Sequence, residues 1–263
     1  MPADTATATR ILPAGTAPTP MFNESAELYD LIYSSFKNYE AETEALAGIL
    51  RSANPACRTV LDVACGTGEH ARLLGERYGF EVDGIDLEPG FVRIASRKNP
   101  SGRFTVDDMT RFDLGRRYDA VICLFSAIGY VRTLDGLRDA LRCFRAHVNP
   151  SGVVIVEPWF TPGVLDDGHE SSAVTEANDI RVARRSRTEI DGRISRLHFD
   201  YDVTDHGRSY QTSEIHELGL FTVDETRAAF EDQDMSVDFD AKGLIGRGLY
   251  VARPREHARS LPS

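Results

Sequence analysis

The stretch Thr59-Val60-Leu61-Asp62-Val63-Ala64-Cys65-Gly66-Thr67-Gly68-Glu69-His70-Ala71 decides the fold. A short apolar run ends in small residues and two glycines, and a helical pattern follows through position 78. Such a run reads as a buried strand, and glycines let the chain turn sharply from strand into helix. The alternation continues downstream. Segments 80–86, 103–106, 118–125 and 152–157 read as strands, and 89–98 and 135–147 read as helices. Strands alternating with helices predict βαβ units. The expected fold is α/β, a doubly wound and mostly parallel Rossmann-like sheet.

Upstream, 24–50 carries a helical pattern: Leu28, Leu31, Ile32, Phe36 and Tyr39, then Ala45, Leu46 and Ile49. Between about 170 and 221 the period changes to two. Leu197, Phe199, Tyr201 and Val203 share one strand face, and His216, Leu218 and Leu220 share another. This predicts an antiparallel β insertion in the parallel frame. A helix at 223–232 and strands near 236–239 and 247–253 complete the pattern. Residues 1–20, rich in Ala, Thr and Pro, are expected to be a disordered tail, as is 254–263. The expected domain is 21–253, with 21–52 as a helical cover and the insertion building a pocket and a possible homodimer contact.

A chain of 263 residues with 41% hydrophobic content can bury one large core. The net charge of −11 argues against nucleic acid and anionic membrane surfaces as partners. The strongest local basic run is Arg181, Arg184, Arg185 and Arg187, which reads first as a solvated strand. Cys57, Cys65, Cys123 and Cys143 show no metal-ligand spacing, so no metal is expected, and a reducing cytoplasm fits. No apolar run approaches the roughly 18 residues of a membrane span.

The glycine loop sits where open α/β sheets bind ligands, at the carboxyl ends of the strands. Gly66-x-Gly68-x-x-Ala71, with Asp86 closing the second strand, also satisfies the dinucleotide fingerprint. In register, the two features indicate an adenosine-type cofactor. A hydride-transfer enzyme needs a catalytic relay, and none is recognisable.

V-L-D-V-A-C-G-T-G at 60–68 resembles the first motif of class I S-adenosylmethionine (SAM)-dependent methyltransferases. The resemblance implies SAM as cofactor, with Asp62 near its methionine end and Asp86 on its ribose. Asp108 and Met109 would lie near its adenine, and Ala64, Gly66, Gly68, Leu87 and Leu124 would stand around it. From Phe22 to Val251 the sequence is similar to the nucleotide-amino-sugar N,N-dimethyltransferases of macrolide pathways. The matches include 26–30, 61–68, 125–129, Glu157-Pro158-Trp159 and Gly246-Arg247-Gly248. By that resemblance Tyr29 and Tyr39 cover SAM, and Arg247 holds a substrate anion through its planar fork. The implied reaction is N-methylation of an amino sugar, a small molecule of specialised metabolism.

Two departures touch the acceptor side. Tyr130 stands where the sugar enzymes carry His, and Phe160 replaces a second Trp. Methylation of an aromatic or indole-type intermediate at carbon, nitrogen or oxygen therefore stays open, as does an inactive SAM-binding sensor. Candidate catalytic groups are Tyr130, His216 and Glu157. Ser126, Tyr130, Trp159, Phe160, His216 and Arg247 are candidate substrate contacts. The ordinary readings are that His216 is a packed cross-strand neighbour, Trp159 is core, and Arg247 is a surface ion pair.

Overall fold

The computed structural model describes residues 26–34 and 37–255. The expected tail 1–20 and residues 256–263 of the other tail lie outside the described residues; Pro254, expected in that tail, instead pairs with Met235 at the end of the last strand. The first elements are α1 (Ala26–Ser34) and α2 (Tyr39–Ala53). The single helical pattern expected over 24–50 is two helices, because Asn38 leaves helical geometry and its side chain accepts a hydrogen bond from the Ala41 amide.

The βα frame follows: β1 (Thr59–Val63), α3 (Glu69–Tyr78), β2 (Glu81–Asp86), α4 (Pro89–Lys98), β3 (Phe104–Val106) and β4 (Tyr118–Cys123). After a 3₁₀ turn at Ala127–Val131 come α5 (Leu134–His147) and β5 (Val148–Val156). The chain closes with α6 (Val223–Glu231), β10 (Met235–Asp240) and β11 (Leu249–Pro254). The seven-stranded sheet runs β10-β11-β5-β4-β1-β2-β3, parallel except for β11 against its two neighbours. Its central strands β1, β4 and the end of β5 are buried on both faces, which is why they read as continuous apolar runs. Leu61, Val121 and Phe144 belong to the core on one face, and Val60, Ile122 and Leu46 to the core on the other.

The insertion is a separate four-stranded antiparallel sheet of β6 (Glu170–Ala177), β7 (Ile180–Asp191), β8 (Ile194–Asp205) and β9 (Arg208–Gly219). Its inner face carries Val182, Tyr201 and Val203, which pack on Leu28, Ile32 and Tyr33 of α1. Alternation sends Arg181 and Arg185 to the other face, where they pair with Glu176 and Asp202. No described helix is long and apolar enough to cross a membrane. The last strand begins at Leu249 rather than at 247. Gly246 and Gly248 have φ of 86° and 90°, so Arg247 stands on a turn ahead of the strand.

Candidate functional site

The carboxyl ends of β1, β2 and β4, helix α1 and the inner face of the antiparallel sheet enclose one cavity of about 640 Å³. One half of it is built by the glycine turn. Gly66 has φ of 55°, and a Cβ placed there would meet nothing within 4 Å. Its amide donates to Asp86 Oδ2 at 2.8 Å, and the Glu88 amide donates to Asp86 Oδ1 at 2.9 Å. Gly68 does something else. It is not on the cavity wall, and its Cβ would meet Asn99 Nδ2 at 2.7 Å and the Ala95 Cβ at 2.9 Å. It lets α3 start close against α4.

Asp62 is buried at the cavity wall, and no described residue donates a hydrogen bond to its carboxyl. Burial, with the Asp86 charge second, pushes its pKa up to about 8. Burial likewise pushes Asp86 up to about 6, against the two amide hydrogen bonds. Two acids facing one cavity are costly to charge together, so a cation or polyol placed there is rewarded. Leu87 is 63% exposed although apolar, and it lines the same half together with Ala64, Asp108, Met109 and Leu124. Asp108 Oδ1 is occupied by Thr110, accepting from its amide and its hydroxyl. Tyr29 lies tilted against Tyr33 at 4.2 Å and edge-on to Phe91 at 4.8 Å, and Tyr39 meets His70 at 5.0 Å. α1 is tied down over this half: Thr67 Oγ1 donates to Asp30 at 2.5 Å, and Lys98 pairs with Asp30 at 2.6 Å.

The other half lies between the 3₁₀ turn and β9. Tyr130 Oη and His216 Nδ1 are 2.7 Å apart, and His216 Nε2 is 3.2 Å from Glu214 Oε2. A carboxylate only accepts, so Nε2 carries the hydrogen and Nδ1 accepts from the phenol. The order Tyr130→His216→Glu214 follows. Burial holds the Tyr130 phenol well above its ordinary range, so it stays protonated. The same half carries Trp159, whose Nε1 donates to Ser195, and Arg247, whose guanidinium lies 5.1 Å from the Trp159 ring. No described carboxylate forms an ion pair with Arg247. Arg184 also reaches the cavity, over Phe199 at 5.2 Å.

Besides Gly68, three sequence candidates do not reach the cavity wall. Glu157 is fully buried behind it and accepts from the Phe125 amide at 2.6 Å. Its carboxyl does not face the cavity, where the sequence places a group that orients a substrate ring or takes its proton. Ser126 is buried and binds Pro158 and Arg247. Phe160 packs edge-on against Trp159 from outside at 4.7 Å. Conversely Tyr33, Lys37, His70, Arg184 and Glu214 escaped the sequence reading. Glu214 lies two residues from His216 on one strand face, and Tyr33 lies four from Tyr29 on one helix; spacing alone could have found both.

A methyltransferase-domain family profile matches residues 60–152. The dTDP-3-amino-3,6-dideoxy-α-D-glucopyranose N,N-dimethyltransferase of Streptomyces fradiae is 39% identical over 88% of this chain and 91% of its own length. The dTDP-3-amino-3,4,6-trideoxy-α-D-glucopyranose N,N-dimethyltransferase of Streptomyces venezuelae is 35% identical over 88% of this chain and 98% of its own. The chain belongs to the SAM-dependent methyltransferases. Within them it joins the branch that holds these dTDP-amino-sugar enzymes. The crystal structure of Streptomyces venezuelae DesVI superposes with a TM-score of 0.84 at 35% identity, covering 88% of this chain and 99% of that one. SAM-bound CalS10, an amino pentose methyltransferase, gives 0.78 at 34%, covering 86% and 95%.

The residues present in this methyltransferase fit SAM. The unpartnered buried acid Asp62 suits an ammonium, and Asp86 suits ribose hydroxyls. The bare side of Gly66 gives main-chain access, and exposed Leu87 offers apolar cover to an adenine ring. Asp86→Ala is expected to weaken S-adenosylhomocysteine binding by about 1–3 kcal/mol, the scale of a hydrogen bond to a charged group. In the unaltered protein the charged carboxylate is the better acceptor. The Asp86 contribution to affinity, read as the difference between parent and variant, is therefore present above about pH 6 and lost as the pH drops through the raised Asp86 pKa. Calorimetric titration between pH 5 and 8 checks both expectations, and equal affinity in variant and parent would remove Asp86 from the site.

Proposed function

We propose that this methyltransferase transfers methyl groups from SAM to the amino nitrogen of a nucleotide-linked amino sugar. The observation that carries the reading is Arg247, a cation with no carboxylate partner among the described residues, facing the same cavity as a phenol–imidazole–carboxylate chain. When bound, SAM would supply a methyl group on a sulfonium, open to in-line attack by a nucleophile with S-adenosylhomocysteine as the leaving thioether. The protein has to position that nucleophile and remove its proton. An amino sugar enters largely as an ammonium and cannot attack until it loses a proton.

Tyr130 Oη accepts that proton as its own passes to His216 Nδ1, and Glu214 stabilises the imidazolium. This answers the departure seen in the sequence. The phenol at 130 is a poor base, but the imidazole behind it, supplied by β9, is a good one. Arg247, with Arg184 lining the same cavity, meets the acceptor's phosphates. Tyr29 and Tyr39 cover the cofactor.

A second reading, methylation of an aromatic or indole-type intermediate, is favoured by the aromatic wall of Phe125, Trp159 and Phe199. Transfer of labelled methyl from SAM decides between them. Turnover is expected on dTDP-3-amino-3,6-dideoxyglucose and not on indole or phenol acceptors. The opposite pattern would sink the sugar reading, and SAM binding without turnover on any acceptor would favour a sensor.

A further inference from the structure

Arg247 is the tip of a Gly-Arg-Gly turn, and a long side chain there has many rotamers to lose before it can grip an anion. What restricts it is a set of residues behind the cavity wall. Ser126 is fully buried, and its hydroxyl accepts from Arg247 Nη1 at 3.0 Å while donating to the Pro158 carbonyl at 2.7 Å. Phe125 and Ser126 are consecutive non-glycine residues in left-handed geometry, with φ of 51° and 63°. L side chains adopt that region reluctantly, so surrounding structure must hold them there. Glu157 supplies the hold. It is fully buried at the end of β5, and one carboxyl oxygen takes the Phe125 amide at 2.6 Å. Its other oxygen is buried with no partner among the described residues. A buried acid left half-satisfied is expensive, and a role for it follows from the turn that it holds. The Phe125 ring, set by that turn, lies 4.0 Å from Lys37 Nζ and 5.5 Å from the Arg247 guanidinium.

We propose that Glu157 and Ser126 are positioning residues for acceptor binding: Glu157 fixes the Phe125–Ser126 turn, and Ser126 Oγ aims Arg247 at the acceptor's phosphate. Neither touches a reactant. The proposal rests on the reading that Arg247 meets an anionic part of the acceptor. It removes Glu157 from the chemistry and gives its unusual burial a function in specificity.

The test is calorimetric titration of the full chain, saturated with S-adenosylhomocysteine, with dTDP as probe. Ser126→Ala is expected to weaken dTDP binding about tenfold, the scale of one lost hydrogen bond to a charged group. Affinity for S-adenosylhomocysteine should not change. In an Arg247→Met background the same Ser126 substitution should cost nothing further, because its partner is already gone. Glu157→Ala should mimic Ser126→Ala. Glu157→Gln, which keeps an oxygen for the Phe125 amide, should return affinity to within about threefold of the parent. A Ser126→Ala protein that binds dTDP as the parent does would overturn the proposal, as would an equal loss in the Arg247→Met background. A parent that ignores dTDP would overturn the acceptor reading as well, so the two failures are distinguishable.

Discussion

Gly66→Val is expected to abolish detectable binding of S-adenosylhomocysteine, a loss of at least about 100-fold, or roughly 2.7 kcal/mol. Two effects combine. At φ of 55° a β-branched residue is strained, at a cost of about 1–3 kcal/mol. Beyond the missing Cβ there is only the cavity, so the new side chain enters the space that the cofactor needs. The strain alone lies within the roughly 5–15 kcal/mol stability of a typical domain, so the variant should fold. A thermal melt that stays cooperative, together with a flat calorimetric titration, is the expected pair. Gly68→Ala is the contrast. Its methyl would press on Asn99 and Ala95, so its cost should fall on the melting temperature rather than on affinity. A folded Gly66→Val protein that still binds would show that the glycine serves the turn alone.

Much of this site was legible because its information is local. The strand 59–63, the glycine turn and the acid closing the next strand lie within 28 residues, and parallel pairing of β1 with β2 puts them side by side. Helices 69–78 and 89–98 carry their own stop signals, Gly79 and Asn99. The acceptor half was less legible. Tyr130 and His216 are 86 positions apart, and they meet only because the inserted sheet docks over the parallel one. The 3₁₀ turn that carries Tyr130 is too short to show a period. Arg184 sat in a run of arginines whose charges masked the strand alternation that sends one inward and its neighbours outward. Glu157 was misplaced for a different reason. The last five residues of β5 are buried whichever way they point, so pattern could not say which face its carboxyl took.

His216→Asn is expected to lower kcat on the amino-sugar acceptor by about 10²–10⁴, the range for loss of a general base, while affinity for S-adenosylhomocysteine is unchanged. The substitution keeps a polar side chain on β9 but removes the imidazole that faces both Tyr130 and Glu214. The phenol then has no proton acceptor behind it, and burial, which holds it protonated, keeps it from acting alone. Tyr130→Phe interrupts the same chain one step earlier and should show a loss of similar size. Because the two residues act as one unit, the double variant should be no worse than either single one. Raising the pH supplies acceptor already free of its extra proton, so the deficit of each variant should shrink as the solution becomes more alkaline. A merely structural role for His216 predicts the reverse of these last two results: additive losses in the double variant, and a deficit that is constant with pH. Steady-state kinetics of the four proteins across the alkaline range therefore separates a proton relay from a packed histidine.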